Sequence, residues 1–413
     1  MTAWPRISMV GALLLLFALP IGTHAAPRYK VLHSFGRSDD GNFPSGPPLQ
    51  DATGNLYGVT GGGPGEYGYG TLYELMPQAD GTWKEKVLHD FGSGDGYPWG
   101  VVVSDSTGNL YGTTEYGPDN NGEVFELSPA ANDWAFGVLY TDIAGPGLLM
   151  DKRGNLYGEM GRGQYKYGAI GELSPASGGW DYTLLYSFCS TYCPDGFDLP
   201  APPIWDGHGN LYGTTGAGGI GRPACLVSDG CGVIFKMTPN GDGTWTYHVL
   251  HRFASYANDG QGPFAGLVMD KAGNFYGSTS MGGRYGRGNG GYGNGMVFKL
   301  SYIGGRWNKT TLYEFPHCAD GCAPLGPMAF DKAGNLYGAA NGGLPDCTGY
   351  DCGVIFKLSP QPGGKWTYTV LHKLTAADGE YPRGVIIDGK GHLFGTTSGF
   401  GKYYAGTAFE VIP

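Results

Sequence analysis

Residues 206–215 read Asp-Gly-His-Gly-Asn-Leu-Tyr-Gly-Thr-Thr, and this stretch decides the fold because the chain repeats it. Its central Gly-Asn-Leu-Tyr-Gly part occurs seven times with small changes, and the copies begin at Gly54, Gly108, Gly154, Gly209, Gly273, Gly334 and Gly391. The spacings between copies are 54, 46, 55, 64, 61 and 57 residues. A period in this range is typical of a stacked or ring-like array of one supersecondary unit.

The fourth repeat shows what one unit contains. Four short runs rich in apolar and β-branched residues, 204–205, 211–215, 233–237 and 245–251, are separated by segments rich in Gly, Pro, Asn and Asp. Short strands joined by such turns predict an antiparallel meander. No stretch of the chain after residue 25 has a sustained helical period, so we expect it to be almost all β.

The two ends of the chain favour a closed ring over an open stack. The chain ends after a third strand, residues 406–412, while residues 29–35 form an unattached fourth strand that matches residues 86–91. An N-terminal strand that completes the last blade would close the ring and cover its edge. Radially stacked four-stranded sheets form a β-propeller. The sequence therefore predicts a seven-bladed β-propeller of four-stranded antiparallel blades as a single domain over residues 26–413.

The lengths of the connections predict the face that carries function. With the strands of a blade lettered a to d from the axis outward, the a–b turns and most c–d turns are short, whereas the d–a and b–c connections are long and variable. In an up-and-down blade the two long connections lie on the same face. Because binding and catalytic residues concentrate on loops held by a rigid scaffold, we expect the site on this face, at the mouth of the central channel.

The N-terminus predicts export. Residues 1–25 have the features of a secretory signal peptide: Arg6, an apolar run from Val10 to Leu19, and a small-residue cleavage site at 23–25. A retained N-terminal anchor is the alternative, but the apolar run is shorter than the roughly 20 residues that a membrane crossing needs. We expect the mature chain in the periplasm, on the cell exterior or in the medium.

Composition and cysteine content fit an exported chain. The formal net charge is −10 without basic clusters, which disfavours nucleic acid and anionic membranes as partners. The even number of cysteines, in an exported chain, predicts disulfides. They form four close couples, Cys189/Cys193, Cys225/Cys231, Cys318/Cys322 and Cys347/Cys352. One couple lies in the d–a loop and one in the b–c loop of blades four and six, so pairing within or across the loops stays open.

Three recurring segments resemble a known family. They are Asp-x-x-Gly-Asn-Leu-Tyr-Gly-Thr-Thr, the Gly-Val-Ile-Phe-Lys-Leu of residues 353–358, and the Trp-Thr-Tyr-x-Val-Leu-His of residues 245–251 and 366–372. Over residues 28–413 the chain resembles the GloVer-repeat proteins, exported bacterial proteins often labelled choice-of-anchor tandem-repeat proteins. The resemblance implies an extracellular or cell-surface propeller, and it brings no catalytic residues with it.

Seven copies in one chain allow an internal comparison, because a residue type present in every copy serves the blade. We therefore interpret three recurring residues as structural: the Asp before each Gly-Asn as a turn residue rather than a calcium ligand, the Trp that opens strand d as a core residue rather than a sugar platform, and the His or Tyr that ends strand d as a hydrogen-bonding group rather than a metal ligand. The Asp-Gly of six d–a loops is also interpreted as a turn, with a cation site as the alternative.

Blade three departs from the repeat and supplies the best local candidate for a site. Its d–a loop is short, and Glu159-Met160 replaces the usual Thr-Thr. We expect Glu159 near Arg162 to be either a carboxylate with a shifted pKa or an ion pair that orders the loop. Aromatic, acidic and Arg residues of the loops suit sugar rings and carboxylates. The candidate ligand-binding residues are Trp99, Glu115, Tyr116, Glu159, Arg162, Tyr165, Tyr167, Arg284, Tyr285, Arg287 and Tyr404.

Three functional hypotheses follow. The first is a secreted propeller that binds a glycan or glycoconjugate on its loop-rich face without turnover. The second is a carbohydrate-active enzyme, a hydrolase or a lyase, with Glu159, Arg162 and Asp142 as weak candidates for acid–base groups. The third is a structural or protein-interaction module that binds a surface protein of the cell exterior. We expect a monomer without cofactor or metal.

Overall fold

A computed structural model describes residues 26–64, 68–117, 121–131, 133–142, 144–188, 193–219, 225, 230–254, 259–285, 293–342 and 352–413. The predicted signal peptide, residues 1–25, lies outside the described residues. Seven antiparallel sheets account for the strands, and each sheet is one blade. The predicted seven-bladed β-propeller is confirmed.

The first four blades follow one another along the chain, and in blade one strand a is split into β2 and β3. The strands of blades one and two are β2 Asn42–Pro44, β3 Leu49–Gln50, β4 Leu56–Gly62, β5 Thr71–Pro77 and β6 Trp83–Asp90, then β7 Pro98–Ser104, β8 Leu110–Thr114, β9 Glu123–Pro129 and β10 Trp134–Thr141. Those of blades three and four are β11 Leu149–Met150, β12 Leu156–Glu159, β13 Ala169–Ala176 and β14 Gly179–Ser187, then β15 Ile204–Trp205, β16 Leu211–Thr215, β17 Val233–Pro239 and β18 Trp245–Arg252.

The remaining blades repeat the same plan. The strands of blades five and six are β19 Val268–Met269, β20 Phe275–Thr279, β21 Met296–Ile303 and β22 Arg306–Glu314, then β23 Ala329–Phe330, β24 Leu336–Ala340, β25 Val354–Pro360 and β26 Trp366–Lys373. Blade seven has β27 Glu380–Ile387, β28 Leu393–Gly399, β29 Thr407–Ile412 and, from the N-terminus, β1 Arg28–Ser34. The helical segments of the described residues are two short 3₁₀ turns, Cys318–Asp320 and Pro362–Gly364.

The ring closes through β1. This strand pairs antiparallel with β29, in a register that runs from Arg28 opposite Ile412 to Ser34 opposite Thr407. Leu32 and Phe35 are buried in a cluster shared with blade one. The first described strand therefore covers an edge that would otherwise expose unpaired backbone groups.

The Gly of Leu-Tyr-Gly is explained by the aromatic core. In blade four the Phe235 ring lies so close to Gly213 that a Cβ there would be 2.5 Å from Phe235 Cζ. Equivalent pairs occur in blades two, five, six and seven, at Gly112, Gly277, Gly338 and Gly395. The Phe partners are fully buried, so in these five blades the Gly makes room for a buried aromatic ring.

The recurring Asp is a turn residue, as the sequence indicated. In blade five, Asp270 Oδ1 accepts hydrogen bonds from the backbone N–H groups of Ala272 and Asn274, each at 2.9 Å. Its Oδ2 accepts from Asn274 Nδ2 at 2.8 Å and from Tyr276 OH at 2.9 Å. Burial alone would raise the pKa of Asp270, but these hydrogen bonds outweigh it and lower the pKa.

The other recurring residues also have structural roles. At the end of strand d, His251 lies 2.8 Å from Asp259 and Tyr186 OH lies 2.5 Å from Asp195, so His and Tyr serve the same hydrogen bond to the Asp of the loop. The Trp residues that open strand d pack against buried clusters in six blades, at Trp83, Trp134, Trp180, Trp245, Trp307 and Trp366. These interpretations are confirmed.

The disulfides in the described residues form within couples. Cys225 is bonded to Cys231 in the b–c loop of blade four, and Cys318 to Cys322 in the d–a loop before blade six. For these two couples the pairing is within the loop and not across loops, and Cα distances of 5.4 Å and 4.8 Å suit such a bond. Cys352 is also disulfide-bonded. Cys193 is buried, and Cys189 and Cys347 lie outside the described residues.

Candidate functional site

A cavity of about 1170 Å³ occupies the centre of the ring and is lined by residues of all seven blades. Tyr167 of a b–c loop and Phe197 of a d–a loop line it on the loop face, and Asp388 of an a–b turn lines it as well. The d–a and b–c loops lie together, as Tyr97 N–H donates to Tyr116 O at 3.0 Å in blade two. The predicted sharing of one face by the two long connections is confirmed.

Each blade contributes to the cavity at the same place in its d–a connection, and in six blades a proline precedes the contributing residue. In blades one, two and seven this proline pairs with strand b, as Pro98 does with Thr114 and Pro382 with Thr397. In blade three Ala144 pairs with Met160 in the same way. The residues after these six prolines and after Ala144 all line the cavity, and we call them the channel ring. They are Ser45, Trp99, Gly145, Ala201, Phe264, Leu325 and Arg383.

The channel ring and the adjacent loops present aromatic surface to the cavity. Trp99 is 43% exposed and Tyr167 is 41% exposed, although both line the cavity. Tyr167 packs its ring edge to face on Phe197, with centroids 5.2 Å apart. Phe264 is half-buried on the same wall. Exposed flat rings in a concave site offer stacking surface to a ligand.

Glu159 is a buried carboxyl on the cavity wall. It stands on strand b of blade three, where the other blades have the small residues Val59, Thr113, Thr214, Ser278, Ala339 and Thr396. The larger side chain fits because Gly145 faces it, where a Cβ would lie 2.8 Å from Glu159 Cβ. Its Oε2 accepts a hydrogen bond from Leu199 N at 3.1 Å. The short d–a loop of blade three, with Gly145, and the Glu at position 159 therefore depend on each other.

Burial, and after it the negative charge of Asp198, raise the pKa of Glu159 to about 8 against the lowering effect of the hydrogen bond from Leu199. Glu159 is therefore mostly protonated at neutral pH. Asp198 is partly exposed to solvent and lines the cavity. The cavity walls still remove enough water from its carboxyl to raise the pKa of Asp198 as well. The carboxyls of Glu159 and Asp198 therefore share the cavity wall at blades three and four, and the charge of Asp198 affects the protonation of Glu159.

Arg383 brings a cation to the opposite side of the ring. Its Nε is buried and has no hydrogen-bond partner in the part of the chain that the structure describes. Burial lowers the pKa of this guanidinium, which remains charged. Lys166, exposed and held at φ +67°, also lines the cavity. The site therefore combines aromatic rings, carboxyls and cations.

Of the two alternatives for Glu159, the carboxyl with a shifted pKa is found and the ion pair with Arg162 is not. Arg162 instead lies 3.4 Å from Asp142 through Nε, and its Nη2 donates to Asn121 Oδ1 at 2.5 Å. Neither Arg162 nor Asp142 lines the cavity. The pKa of Glu159 is raised by burial and by Asp198, and Arg162 orders the loop.

The structure brings together only part of the predicted site. Trp99, Glu115, Glu159 and Tyr167 line the cavity. Tyr116 is exposed and packs on Tyr97, and Tyr165 is exposed on the loop of blade three. Three further candidates lie away from the cavity: Arg284, which pairs with Glu314 at 3.1 Å, Tyr285 beside it, and Tyr404, which is 74% exposed. Arg287 lies outside the described residues.

Sequence reasoning missed Asp198, Phe264 and Arg383. A usable signal exists, because the channel-ring position has a different residue in every blade, although six of the seven blades have a proline before it. Arg383 and Phe264 would have been found by that comparison. Asp198 precedes Leu199-Pro200 and occupies a left-handed backbone position at φ +65°, which sequence alone does not reveal for a non-Gly residue.

Fold and site define a propeller repeat protein with a central cavity on its loop face. The sequence profile of the Gloeobacter/Verrucomicrobia repeat matches residues 16–225 and 200–413, so the chain belongs to that family. A comparison with curated proteins found no match. Among the described residues, none of the helices has the length and apolar composition that a membrane crossing requires.

Solved structures with the same fold are distant in sequence. An ulvan lyase of a new polysaccharide lyase family, solved bound to -[GlcA(1-4)Rha3S]-, is 10% identical with a TM-score of 0.50, over 90% of this chain and 94% of that chain. A candidate 6-phosphogluconolactonase from Bacteroides fragilis is 14% identical with a TM-score of 0.45, over 87% of this chain and 88% of that chain. At these identities the likeness shows the fold alone.

Proposed function

We propose that this chain is an exported carbohydrate-binding propeller that holds a glycan or glycoconjugate in its central cavity. The observation that carries the proposal is the channel ring, where Trp99 and Phe264 occupy equivalent positions and both line the cavity. No structural demand of the blade selects these residues, because the other blades place Ser, Gly, Ala, Leu or Arg there. Rings that line a cavity suit the apolar faces of sugars.

The size and polarity of the cavity support a saccharide. Its volume of about 1170 Å³ exceeds the usual range of about 300–1,000 Å³ for small-molecule pockets, and so it has room for an oligosaccharide. Glu115, Asp198 and Arg383 supply acceptors and donors for hydroxyl groups. The saccharide bound by the ulvan lyase is compatible with this ligand class and does not select a particular sugar.

Export is part of the proposal. The disulfides Cys225–Cys231 and Cys318–Cys322 are of a kind that persists in oxidising compartments. Residues 1–25 have the pattern of a secretory signal peptide. These features support the proposal that the protein functions in the periplasm, on the cell exterior or in the medium.

Affinity electrophoresis against a panel of neutral and acidic polysaccharides tests the binding. We expect at least one polysaccharide to retard the protein, and Trp99→Ala to weaken that retention about tenfold, the effect of roughly 1.4 kcal/mol of lost stacking. Tyr302→Ala is the matched control, an aromatic residue 61% exposed at the end of β21, which does not line the cavity. Failure of every polysaccharide to bind, or equal losses in both variants, would contradict the proposal.

A second candidate, a polysaccharide hydrolase, is favoured by one observation, the pairing of a protonated Glu159 with Asp198. A glycosidase needs one protonated and one ionised carboxyl beside the scissile bond. In this candidate Glu159 donates the proton and Asp198 acts as the carboxylate. Release of reducing ends from the retained polysaccharide is the assay. Activity that Glu159→Gln abolishes without loss of binding would support a hydrolase, and activity unchanged by this substitution would refute it.

A further inference from the structure

The outer strands of neighbouring blades make one recurrent ring contact. A residue near the start of strand d, two positions after the Trp in the blades that have one there, stacks on the His or Tyr that ends strand d of the preceding blade. Tyr247 lies on Tyr186 with centroids 4.1 Å apart and planes 9° apart. Four further pairs repeat it with centroid distances of 4.0 to 4.5 Å: Tyr29 on His372, Phe136 on His89, Tyr182 on Tyr140 and Tyr368 on Tyr313.

Blade five replaces the ring with an ammonium group. Lys309 stands at the equivalent position of β22, two residues after Trp307, and its Nζ lies 2.7 Å from Asp259 Oδ1 with the side chain only 6% exposed. The same Nζ lies 5.8 Å and 5.9 Å from the ring centroids of Phe253 and Phe298. Asp259 also bonds His251, the residue that a ring would otherwise cover. The scaffold can therefore hold a primary ammonium at this place.

Blade one has neither a ring nor a cation there. Glu85 occupies the third position of β6, across from His33 of β1, at the junction where the ring closes. A cavity of about 480 Å³ lies at this junction and is lined by Glu85, His33 and Asp40 among others. Glu85 Oε1 is buried and has no hydrogen-bond partner within the described residues. Burial, then Asp40 and Asp39, raise the pKa of Glu85 to about 7.

The surroundings of this cavity match those of the Lys309 ammonium. Asp40 takes the place of Asp259 and bonds His33 at 2.9 Å. Phe35 and Tyr73, with ring centroids 4.9 Å apart, take the places of Phe253 and Phe298. Asp40 Oδ1 already accepts the backbone N–H groups of residues 36 and 37, so Glu85 supplies the free acceptor.

The rim of this cavity is net positive, with three exposed basic residues, Arg37, Lys84 and Lys402, and one exposed acidic residue, Asp39. The exposed Arg37 and Lys402 both lie near the ring of Tyr403, with Arg37 Cζ 5.6 Å and Lys402 Nζ 5.1 Å from its centroid. All three residues line the cavity. Hydrogen bonds from Lys402 and Arg37 lower the pKa of the Tyr403 hydroxyl. An occupant with a cation inside and an anion at the rim therefore meets complementary charge at both ends.

We propose that the cavity between Glu85 and His33 binds the ammonium end of a small ω-amino carboxylate, with the carboxylate at Arg37 and Lys402. The ammonium takes the place that Lys309 fills in blade five, and it pairs with the ionised Glu85. The site lies at the outer edge of the ring and is separate from the central cavity and from the proposed glycan.

Calorimetric titration with 6-aminohexanoate tests the site, and hexanoate is the control ligand that lacks the ammonium. We expect the wild-type protein to bind 6-aminohexanoate and not hexanoate. Glu85→Gln keeps the size and removes the charge, and should weaken binding about tenfold or more, as expected for a lost charge-assisted hydrogen bond. Glu85→Tyr restores the ring of the other blades and should abolish binding.

Lys309→Tyr is the matched control variant, because it makes the same restoration in blade five and leaves Glu85 in place. It should bind 6-aminohexanoate as the wild type does. Retention of the polysaccharide by each variant shows that the ring is folded. The proposal is overturned if the wild type does not bind millimolar 6-aminohexanoate, or if Glu85→Tyr and Glu85→Gln both bind it as tightly as the wild type.

Discussion

The residues at the two ends of strand a differ in how strictly they recur from blade to blade. This difference separates structural residues from residues that can bind a ligand. At the a–b turns all seven blades have Asp, and in blade one Asp51 accepts hydrogen bonds from residues 53 and 55 just as Asp270 does from its own turn. At the opposite end the channel ring has seven residues of unlike chemistry around the cavity. Residues that recur in every blade, such as this Asp, stabilise the blade. Residues that differ from blade to blade around the cavity are the ones that can determine which ligand binds.

The ring closure is the feature on which both ends depend, and its loss should have the largest effect. Deletion of residues 26–34 removes β1 and exposes β29 over six paired positions. At about 1 kcal/mol net for each backbone hydrogen bond, the loss is on the order of several kcal/mol. We expect loss of the cooperative thermal transition and self-association on gel filtration. A variant that starts at Pro27 is the control, and a monomer with unchanged melting after the longer deletion would contradict ring closure.

Glu159 tests whether a departure from the repeat costs stability. Its pKa of about 8 in the folded state exceeds the unfolded value of about 4.3, so the folded state keeps a proton that the unfolded state loses. Stability should therefore fall as pH rises from about 4 to about 8 and then level off. Glu159→Gln should remove this fall, by on the order of a few kcal/mol, in urea unfolding across the range.

Glu159→Thr, which restores the residue of blades two, four and seven, is the matched variant for that experiment. It should behave as Glu159→Gln does. Identical pH profiles in the wild type and both variants would show that Glu159 is not a buried acid.

The repeated turn should matter for stability and not for the cavity. Asp270→Ala removes the acceptor of four hydrogen bonds, and we expect a loss of about 2 kcal/mol. Because hydrogen bonds lower the pKa of Asp270, its contribution is present above its unfolded pKa and is lost as pH falls through the folded value. Urea unfolding at neutral and acid pH checks both statements. A variant as stable as the wild type at neutral pH would refute the structural role.

The channel ring should show the opposite behaviour, with the smallest effect on stability. Phe264 is only half-buried and lines the cavity, so Phe264→Ala loses little core packing. We expect a change below about 1 kcal/mol in the free energy of unfolding. Phe235→Ala, at a fully buried ring, is the contrast and should cost about 3–5 kcal/mol. Equal losses would show that Phe264 belongs to the core.

The sequence was sufficient for the fold because its signals are local and repeated. Turn residues, strand periodicity and the match between residues 29–35 and 86–91 determine blade number and closure without any distance information. It also placed Trp99, Glu159 and Tyr167 near the channel, since loop length indicates the face. These inferences depend on pattern, and seven copies supply it.

The rest of the site depends on which side chains meet in space, and the repeat pattern of the sequence does not show this. Arg162 is close to Glu159 in sequence, yet it pairs with Asp142, while the charge of Asp198 in the next blade, at a positive φ in its loop, raises the pKa of Glu159. The cavity beside Glu85 could not be predicted from sequence either. Glu85 stands where other blades have a stacked aromatic ring, and that is recognisable only once the ring stacks of those blades are known.

The most direct measurement compares two variants of blade two, Trp99→Ala and Asp105→Ala, for both unfolding free energy and affinity for the polysaccharide that the wild type binds best. We predict that Trp99→Ala loses about tenfold in affinity with little change in stability, and that Asp105→Ala loses about 2 kcal/mol of stability with affinity preserved. If both variants lose affinity in proportion to stability, the division between repeated and variable positions is wrong.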